Sequence, residues 1–248
     1  MYRLRDLRHN VCVPRLGGGL VGPRIRKEKS MAKAKLIISS KNYSSWSLRG
    51  WLLVKFSGLE FVEEATAPDD ASARAELLLL SPSFLVPKLV HDGIEVWDTL
   101  AIGEYLHEIK PEAGLLPSDR AARAHCRSIS GEMHSGFRAV RSALPMNLRS
   151  SHPGYRIYSD VKADILRIVE IWEGCIEEWG GPYLYGETLT MADAMYAPVA
   201  TRFRTYDVKL GPVAQAYADR ILALPEMVEW TKEALKEPEQ IEEFESEF

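Results

Sequence analysis

One stretch of the chain, residues 36–49, constrains the fold most, because it predicts a buried strand that leads through a polar turn into a helix. Residues 36–38 read Leu-Ile-Ile, an apolar and β-branched run of the kind that buried strands need. Leu48, Leu52 and Phe56 then recur at helical spacing up to Gly58, a residue that favours the end of a helix. A strand joined so closely to a helix is typical of a βαβ unit.

The polar turn places Ser44 and Ser45 at the N-terminus of this predicted helix. The first backbone N–H groups of a helix lack intrahelical partners and carry partial positive charge, so such a position suits a thiolate, a carboxylate or a phosphate. A serine hydroxyl adds one more donor. Serine is also a favoured helix N-cap when no ligand is present, so these residues alone leave capping and anion binding both open.

Further strands and helices are predicted by the next part of the sequence. Residues 60–65 are a strand candidate, and residues 71–80 are a helical one. Two β-like runs flank the pair Asp92-Gly93, which tolerates the positive φ angles of a tight turn, so an antiparallel hairpin is expected there. Residues 34–110 therefore predict a domain with the element order β-α-β-α-β-β-α.

Two further sequence features lie in the second half of this domain. Pro87 opens the third predicted strand, one of the few places where a strand tolerates proline. Asp98 and Thr99 form a predicted cap for the last helix of the domain, which ends before Pro111. Residues 111–118 are rich in helix breakers and predict a linker between two domains.

Beyond the linker the pattern becomes helical only, so residues 119–236 predict an all-helical domain. Thr190 and Asp193 form a variant of the capping box at the start of one of its helices. The acidic tail, residues 237–248, is expected to be frayed or solvated. The other expected helices cover residues 120–148 with an end or kink at Pro145, 155–179, 213–224 and 226–235.

Composition and charge exclude several function classes. The first 30 residues hold eight Lys or Arg residues against two acidic ones, which leaves 23 basic and 33 acidic residues in the remaining chain. The body is acidic, so nucleic acid is not an expected partner. No apolar run approaches the roughly 18 residues of a membrane span. Three scattered cysteines favour a reducing compartment, the cytoplasm, without disulfides.

The first 33 residues are arginine-rich and contain the run Gly-Gly-Gly at 17–19, so they predict a disordered extension that adds nothing to a core. Two interpretations compete for this extension. It is either a translated upstream segment with Met31 as the true start or an arginine-rich targeting peptide. We favour the first, because the extension lacks the serine content of a transit peptide and the apolar stretch of a secretory signal.

Four motifs, in this order and spacing, resemble the glutathione S-transferase family over residues 34–236. They are residues 44–49 (Ser-Ser-Trp-Ser-Leu-Arg), 86–89 (Val-Pro-Lys-Leu), 97–106 and 182–194. The resemblance implies a thioredoxin-like N-terminal domain followed by a helical domain, glutathione as co-substrate and a homodimer. The first motif is similar to zeta-type enzymes, in which the position of Trp46 is a cysteine; the tryptophan favours a serine-type transferase over cysteine-dependent chemistry.

The resemblance also implies roles for particular residues. Ser44, with Ser45 as alternate, would donate a hydrogen bond to the glutathione sulfur and favour its thiolate. The backbone of Val86 would pair with the glutathione backbone, and the bond before Pro87 would be cis. Asp98 would face the γ-glutamyl ammonium, and Thr99 the γ-glutamyl carboxylate.

The sequence departs from the family at Phe84-Leu85, where a glycine and a lysine or glutamine often contact the glycyl carboxylate. Lys88, Arg49 or Lys41 are the expected substitutes.

A second substrate is expected between the domains, against Met133, Phe137 and Arg141. Met133 and Phe137 would share a face if both lie on one helix. His125 and His134 are nine residues apart and would point to different faces of that helix, so no metal site is predicted. Three functions follow from the resemblance: a transferase that adds glutathione to an electrophile, a glutathione-dependent isomerase of the maleylacetoacetate type, or a non-catalytic binding module.

Overall fold

The computed structural model of the chain describes residues 34–65 and 86–238. The predictions made for residues 1–33, for the helix at 71–80 and for Phe84-Leu85 lie outside the described residues. The same holds for the acidic tail after residue 238. Within the described residues no helix is long and apolar enough to cross a membrane.

A four-stranded sheet forms the centre of the N-terminal domain. Its strands are β1 (Ala34–Ile38), β2 (Phe61–Ala65), β3 (Lys88–His91) and β4 (Ile94–Trp97), and they lie side by side in the order β2-β1-β3-β4. Strand β1 pairs in parallel with β2 and antiparallel with β3, and β3 pairs antiparallel with β4. The β3–β4 hairpin is confirmed, because Asp92 and Gly93 have φ angles of 50° and 81°.

Two helices of this domain contact each other, α1 (Ser45–Ser57) and α2 (Thr99–Ile109). Helix α1 also contacts the helical domain, so most of its circumference is buried rather than one face. It ends at Gly58, whose φ of 69° is the left-handed conformation that favours glycine. The predicted strand–turn–helix unit is therefore confirmed, and it lies between the sheet and the second domain.

The C-terminal domain is all helical, as predicted. One of its helices, α6 (Met191–Thr205), is buried over almost its whole surface and contacts α1 as well as two helices of its own domain. After a short 3₁₀ turn at Pro111–Ala113, the helices are α3 (Arg120–Ser135), α4 (Arg138–Ala143), α5 (Ser159–Trp179), α6 (Met191–Thr205), α7 (Pro212–Leu222) and α8 (Pro225–Ala234).

The capping box at the start of α6 is confirmed. The Asp193 carboxylate accepts a hydrogen bond from the Thr190 backbone N–H at 2.8 Å, and the Thr190 side chain caps the helix in return. The same carboxylate also accepts from the Leu184 N–H at 3.2 Å and the Tyr217 hydroxyl at 3.1 Å. Burial raises the pKa of Asp193, but all of these donors stabilise its charge. The motif thus anchors the N-terminus of α6.

The prediction of one long helix that breaks only near Pro145 was wrong. The helix ends at Ser135, and Phe137 adopts the left-handed conformation with φ of 55° before α4 begins. A side chain at Gly136 would place its Cβ 2.6 Å from the Glu132 carbonyl oxygen, so the chain turns where only glycine fits. Burial of the Phe137 ring, which is 7% exposed, stabilises the break.

The start of α5 was also predicted too early, at residue 155 instead of Ser159. The Tyr155 ring packs edge-on against Tyr206 with ring centroids 5.0 Å apart, and its hydroxyl donates to the Ala143 carbonyl at 3.2 Å. These tertiary contacts hold the residues before Ser159 outside the helix. The apolar face predicted for α5 is confirmed by its buried Val161, Ile165, Ile168 and Trp172.

Candidate active site

Ser44 lies at the start of α1 and acts as its N-cap. Its Oγ accepts a hydrogen bond from the Ser47 N–H at 3.2 Å, and its hydroxyl donates to the Ser47 Oγ at 2.9 Å. The Ser44 N–H donates to the Ser40 carbonyl at 3.0 Å, which closes the turn before the helix. Ser44 thus caps α1 through a lone pair of its oxygen, while its hydroxyl proton bonds Ser47. A ligand could accept a hydrogen bond from this proton without removing the cap.

Ser45 is held in a different way. Its Oγ accepts a hydrogen bond from Nη2 of Arg202, 3.1 Å away on α6 of the helical domain. The Ser45 oxygen therefore already faces a cation, whereas Ser44 has only neutral partners. Of the two serine hydroxyls, that of Ser44 is thus the one with no cation as a partner among the described residues.

Three arginines surround the first turn of α1. Arg49 donates to the Met195 carbonyl at 2.8 Å, Arg202 to the Leu144 carbonyl at 2.6 Å and Arg141 to the His134 carbonyl at 3.3 Å. Arg49 is only 1% exposed and Arg202 5%. In the two described segments no carboxylate pairs with any of the three. The cluster is therefore a concentration of positive charge with no counter-ion among the described residues.

The charges in this cluster affect one another. Burial and the neighbouring charges of Arg202 and Arg141 hold the pKa of Arg49 well below its usual value. Burial and Arg141 lower the pKa of Arg202 to about 10. Burial, assisted by Arg138, also lowers the pKa of Arg141. An anion bound nearby would relieve this repulsion, so the arrangement favours negative charge at the start of α1.

Trp46 lies at the centre of the same cluster. The guanidinium carbons of Arg49 and Arg141 lie 4.7 and 5.0 Å from its ring centroid, within the range of cation–π contacts. The imidazole of His134 meets the ring edge-on, with centroids 5.0 Å apart. At the position where zeta-type enzymes carry a cysteine, this chain therefore has a tryptophan that joins α1 to two helices of the helical domain.

Asp98 caps α2 in a strained backbone conformation, with φ of 74°. Its Oδ1 accepts from the Leu100 N–H at 2.8 Å and the Ala101 N–H at 3.4 Å, and its Oδ2 lies 3.1 Å from Nε2 of His134. Burial acts to raise the pKa of Asp98, but the bonds from His134 and from the two backbone N–H groups outweigh it and lower the pKa. The carboxylate is thus held ionised, with its side chain 34% exposed.

The next residue, Thr99, has a side-chain oxygen that is buried and has no hydrogen-bond partner among the described residues. Buried hydroxyls normally have a partner, so an unsatisfied one beside a helix N-terminus is notable. Asp98 and Thr99 together present a carboxylate and a hydroxyl that no described residue bonds at the start of α2.

The peptide bond between Val86 and Pro87 is cis, as the resemblance implied. Pro87 lies directly against α1, since a side chain at Gly50 would place its Cβ 2.5 Å from Cβ of Pro87. Glycine at position 50 thus allows α1 to approach Pro87, the residue that directly precedes β3.

The cations considered as substitutes for the Phe84-Leu85 departure already have partners. Lys88 pairs with Glu95 across the hairpin, with Nζ and Oε2 3.1 Å apart. Lys41 pairs with Glu63 at 2.6 Å. Arg49 is buried in the cluster around Trp46. Recruitment of Lys88 or Lys41 by a ligand would therefore compete with an ion pair.

The residues predicted to contact a second substrate do not share one helix. Met133 is fully buried on α3, Phe137 lies at the break, and Arg141 belongs to α4. The premise that Met133 and Phe137 are one turn apart on a single helix is therefore wrong, because α3 ends between them. Arg141 is the half-buried member of the three and is near Trp46.

Several contacts at the site could not be read from the sequence. Arg202 and His134 come from the helical domain, and local sequence patterns do not reveal that they meet α1 and α2. Glu237, predicted to lie in a solvated tail, instead accepts hydrogen bonds from the Ser40 hydroxyl at 2.6 Å and from the Lys41 and Asn42 N–H groups at 2.6 and 3.1 Å. That prediction was wrong for Glu237, because three donors in the turn before Ser44 bind its carboxylate.

No group of three or more potential metal ligands occurs in residues 34–65 or 86–238. His125 and His134 contact different residues. Nδ1 of His125 is 2.7 Å from the Tyr185 hydroxyl, and His134 faces Asp98.

Comparison with known proteins identifies the class. Residues 43–109 match the family model for the glutathione S-transferase N-terminal domain, and residues 136–233 match the one for the C-terminal domain. The chain therefore belongs to the glutathione S-transferase family.

Individual members of the family are similar to this chain. A maleylacetoacetate isomerase from Rattus norvegicus is 31% identical over 169 residues, which cover 68% of this chain and 77% of the rat protein. Glutathione S-transferase 1 from Dianthus caryophyllus is 29% identical over 166 residues, which cover 66% of this chain and 75% of the Dianthus protein. The fold matches a maleylacetoacetate isomerase structure from Anaeromyxobacter dehalogenans with bound glutathione at a TM-score of 0.58 and 23% identity, over 84% of this chain and 97% of that one.

Proposed function

We propose that the protein is a glutathione transferase in which Ser44 stabilises the thiolate of glutathione for attack on an electrophilic small molecule. One observation carries the proposal: Ser44 caps the N-terminus of α1, and the two residues that follow it contact three arginines that have no carboxylate partner among the described residues. A helix N-terminus, a hydroxyl donor and nearby cations all favour the ionised form of a thiol.

In this proposal the protein ionises and aims the sulfur, and the sulfur is the nucleophile. The Ser44 hydroxyl turns from Ser47 towards the thiolate, while its lone pair continues to cap α1. A shift of two units from the free thiol pKa of about 8.5 is worth about 2.7 kcal/mol and makes the thiolate dominant at neutral pH. The thiol proton leaves to solvent before the sulfur bonds to the electrophile.

The remaining parts of glutathione would lie along the N-terminal domain, residues 34–110. Val86 would pair with its backbone beside the cis proline, and Asp98 and Thr99 would hold the γ-glutamyl group. Lys88 would contact the glycyl carboxylate only by leaving Glu95. The helical domain, residues 119–236, would bind the electrophile through Arg141, with Met133 and Phe137 as packing behind it.

An isomerase is the second candidate, favoured by the relatives named maleylacetoacetate isomerase and by the arginine cluster. The guanidinium groups of Arg49, Arg141 and Arg202, which pair with no carboxylate in residues 34–65 or 86–238, suit an electrophile that carries carboxylates. The thiolate would add to one carbon of a conjugated double bond, rotation would follow about the resulting single bond, and elimination would return the thiolate. Glutathione would then be regenerated rather than consumed.

The two reactions are separated by what happens to glutathione. Incubation with conjugated, carboxylate-bearing electrophiles is expected to consume one glutathione per product if the protein is a transferase, and none if it is an isomerase. Ser44→Ala should lower either rate by about 10²-fold, as for the loss of one stabilising donor. Ser128→Ala, an exposed position on α3, should leave the rate unchanged.

Glutathione binding without turnover of any electrophile would instead support the non-catalytic binding module. Arg141→Gln distinguishes the electrophile class: it should weaken turnover of carboxylate-bearing electrophiles more than that of neutral ones. Equal losses for both kinds would contradict a role for the arginine cluster in substrate choice.

We also propose a cytoplasmic homodimer, on the basis of the family and the scattered cysteines, two of which are free and buried. Burial raises the pKa of both Cys126 and Cys175 to about 12, so neither is suited to thiol chemistry. Light scattering at micromolar concentration should give twice the mass of the chain, and a monomer would contradict the dimer.

A further inference from the structure

We propose that His134 is a positioning residue that joins the two ends of the glutathione site, holding Asp98 for the γ-glutamyl ammonium while it packs against Trp46 beside Ser44. This inference rests on the proposed function, since it assigns a role within the same site. It adds a residue of the helical domain to a subsite that otherwise belongs to the N-terminal domain.

The first observation is the contact with Asp98. Nε2 of His134 lies 3.1 Å from Oδ2 of Asp98, and the two residues come from α3 and from the start of α2. Oδ1 is already used by the Leu100 and Ala101 N–H groups. His134 therefore fixes the second oxygen, and with it the rotation of the carboxylate about its side-chain bond.

The second observation is that Asp98 keeps capacity for a ligand. Each carboxylate oxygen offers two lone pairs, and His134 occupies one on Oδ2. The Asp98 side chain is 34% exposed, and the neighbouring Thr99 hydroxyl has no partner among the described residues. An ammonium that approaches Oδ2 would meet a carboxylate that is already oriented and ionised.

The third observation is the contact between the His134 imidazole and Trp46. The His134 ring contacts Trp46 edge-on at 5.0 Å between centroids, and Trp46 is two residues after Ser44. The backbone carbonyl of His134 also accepts a hydrogen bond from Arg141. One side chain thus touches both the γ-glutamyl anchor and the turn that would ionise the thiol, and it fixes their separation.

The imidazole is itself held by packing more than by hydrogen bonds. Its Nδ1 is buried and has no partner among the described residues, so Nε2 to Asp98 is the polar contact that orients the ring. Nε2 makes this bond as an N–H donor to the carboxylate. The cost of leaving Nδ1 unsatisfied is consistent with a residue kept for a functional contact rather than for stability.

The test compares glutathione with glutaryl-cysteinylglycine, which lacks only the γ-glutamyl amino group. Calorimetry on the full chain gives the ratio of the two dissociation constants for each variant. In the parent protein glutathione should bind more tightly. In His134→Ala this preference should fall by about tenfold, the effect of losing one hydrogen bond to a charged group, while glutaryl-cysteinylglycine binds nearly as before.

Two variants control for folding. His134→Gln keeps a donor near the position of Nε2 and should restore most of the preference for glutathione. His125→Ala, on the same helix but in contact with Tyr185, should behave as the parent does.

A His134→Ala protein that keeps the full preference would overturn the positioning role and leave the proposed function standing. Equal loss of both ligands in His134→Ala and His134→Gln would assign the residue to the fold, and would also overturn the inference. Failure of the parent to bind glutathione would remove the proposed function and this inference together.

Discussion

Asp98 combines two roles that are usually separate, a helix cap and a charged residue that faces a second domain. Its capping bonds to Leu100 and Ala101 were predictable, because aspartate is among the best N-caps and an apolar helical pattern follows it. The bond to His134 was not predictable, because it joins residues 36 positions apart in two domains. Its positive φ of 74° also has no local sequence signal.

The ionisation of Asp98 predicts a pH dependence of stability. The pKa of Asp98 is lower in the folded protein than its usual 3.8, so its contribution is present above that value and is lost as the pH falls through the lower folded value. Asp98→Asn should therefore lower the free energy of unfolding near neutral pH. Denaturant titrations should show this difference shrinking below about pH 4.

Because Asp98 is partly exposed, we expect Asp98→Asn to lower the free energy of unfolding by only about 1 kcal/mol. Asp119→Asn, a fully exposed cap at the start of α3, is the matched control for capping without the contact to His134. If the difference in unfolding free energy between Asp98→Asn and the parent stays constant down to pH 2, Asp98 does not stabilise the fold through its charge.

Among the secondary-structure elements, α1 and the β3–β4 hairpin were predictable, because both have strong local signals. Gly58 ends α1, and Asp92-Gly93 makes the turn in conformations that these residues favour. The end of α3 was missed because Gly136 is a weak breaker by itself. What decides the break is the approach of Glu132 and the burial of Phe137, which depend on tertiary packing.

The packing of α1 against Pro87 predicts an effect for Gly50. In Gly50→Ala the new Cβ would lie 2.5 Å from Cβ of Pro87, so α1 and the start of β3 must move apart. Overpacking of this kind costs about 1–3 kcal/mol of unfolding free energy. It should also weaken glutathione binding, because Val86 and Ser44 lie on the two sides of this contact.

Gly131→Ala is the matched control for Gly50→Ala. Gly131 is also within a helix, but nothing lies within 4 Å of a Cβ built there. The alanine should therefore be neutral or stabilise the protein by up to about 1 kcal/mol. Thermal unfolding of both variants checks the pair, and equal stabilities would show that the contact with Pro87 does not constrain α1.

In the molecule as a whole, Glu237, near the end of the described residues, is bonded to the turn that precedes Ser44. The Glu237 carboxylate accepts three hydrogen bonds from Ser40, Lys41 and Asn42. On α8, the Trp230 indole donates to the Lys41 carbonyl at 2.8 Å. The class of fold was predictable from the order of the motifs, but this connection was not, because an acidic C-terminal segment resembles a solvated tail.

Glu237→Ala should therefore destabilise the protein by about 2 kcal/mol, because it leaves the Lys41 and Asn42 N–H groups and the Ser40 hydroxyl without their charged acceptor. Glu233→Ala removes a carboxylate that pairs with Lys236 at the surface and should change stability much less than Glu237→Ala does. Denaturant unfolding of the two variants measures the difference. Equal values would mean that the contact with Glu237 does not hold the turn.

The proposed function depends on Ser44 and the charges near it ionising the thiol of glutathione. The pKa of the thiol in the binary complex, followed by thiolate absorbance against pH for the parent and for Ser44→Ala, measures this ionisation. We expect the pKa of the bound thiol in the parent to lie at least one unit below its free value of about 8.5, and most of that shift to be lost in Ser44→Ala. An unshifted thiol in the parent complex, or an equal shift in both proteins, would contradict it.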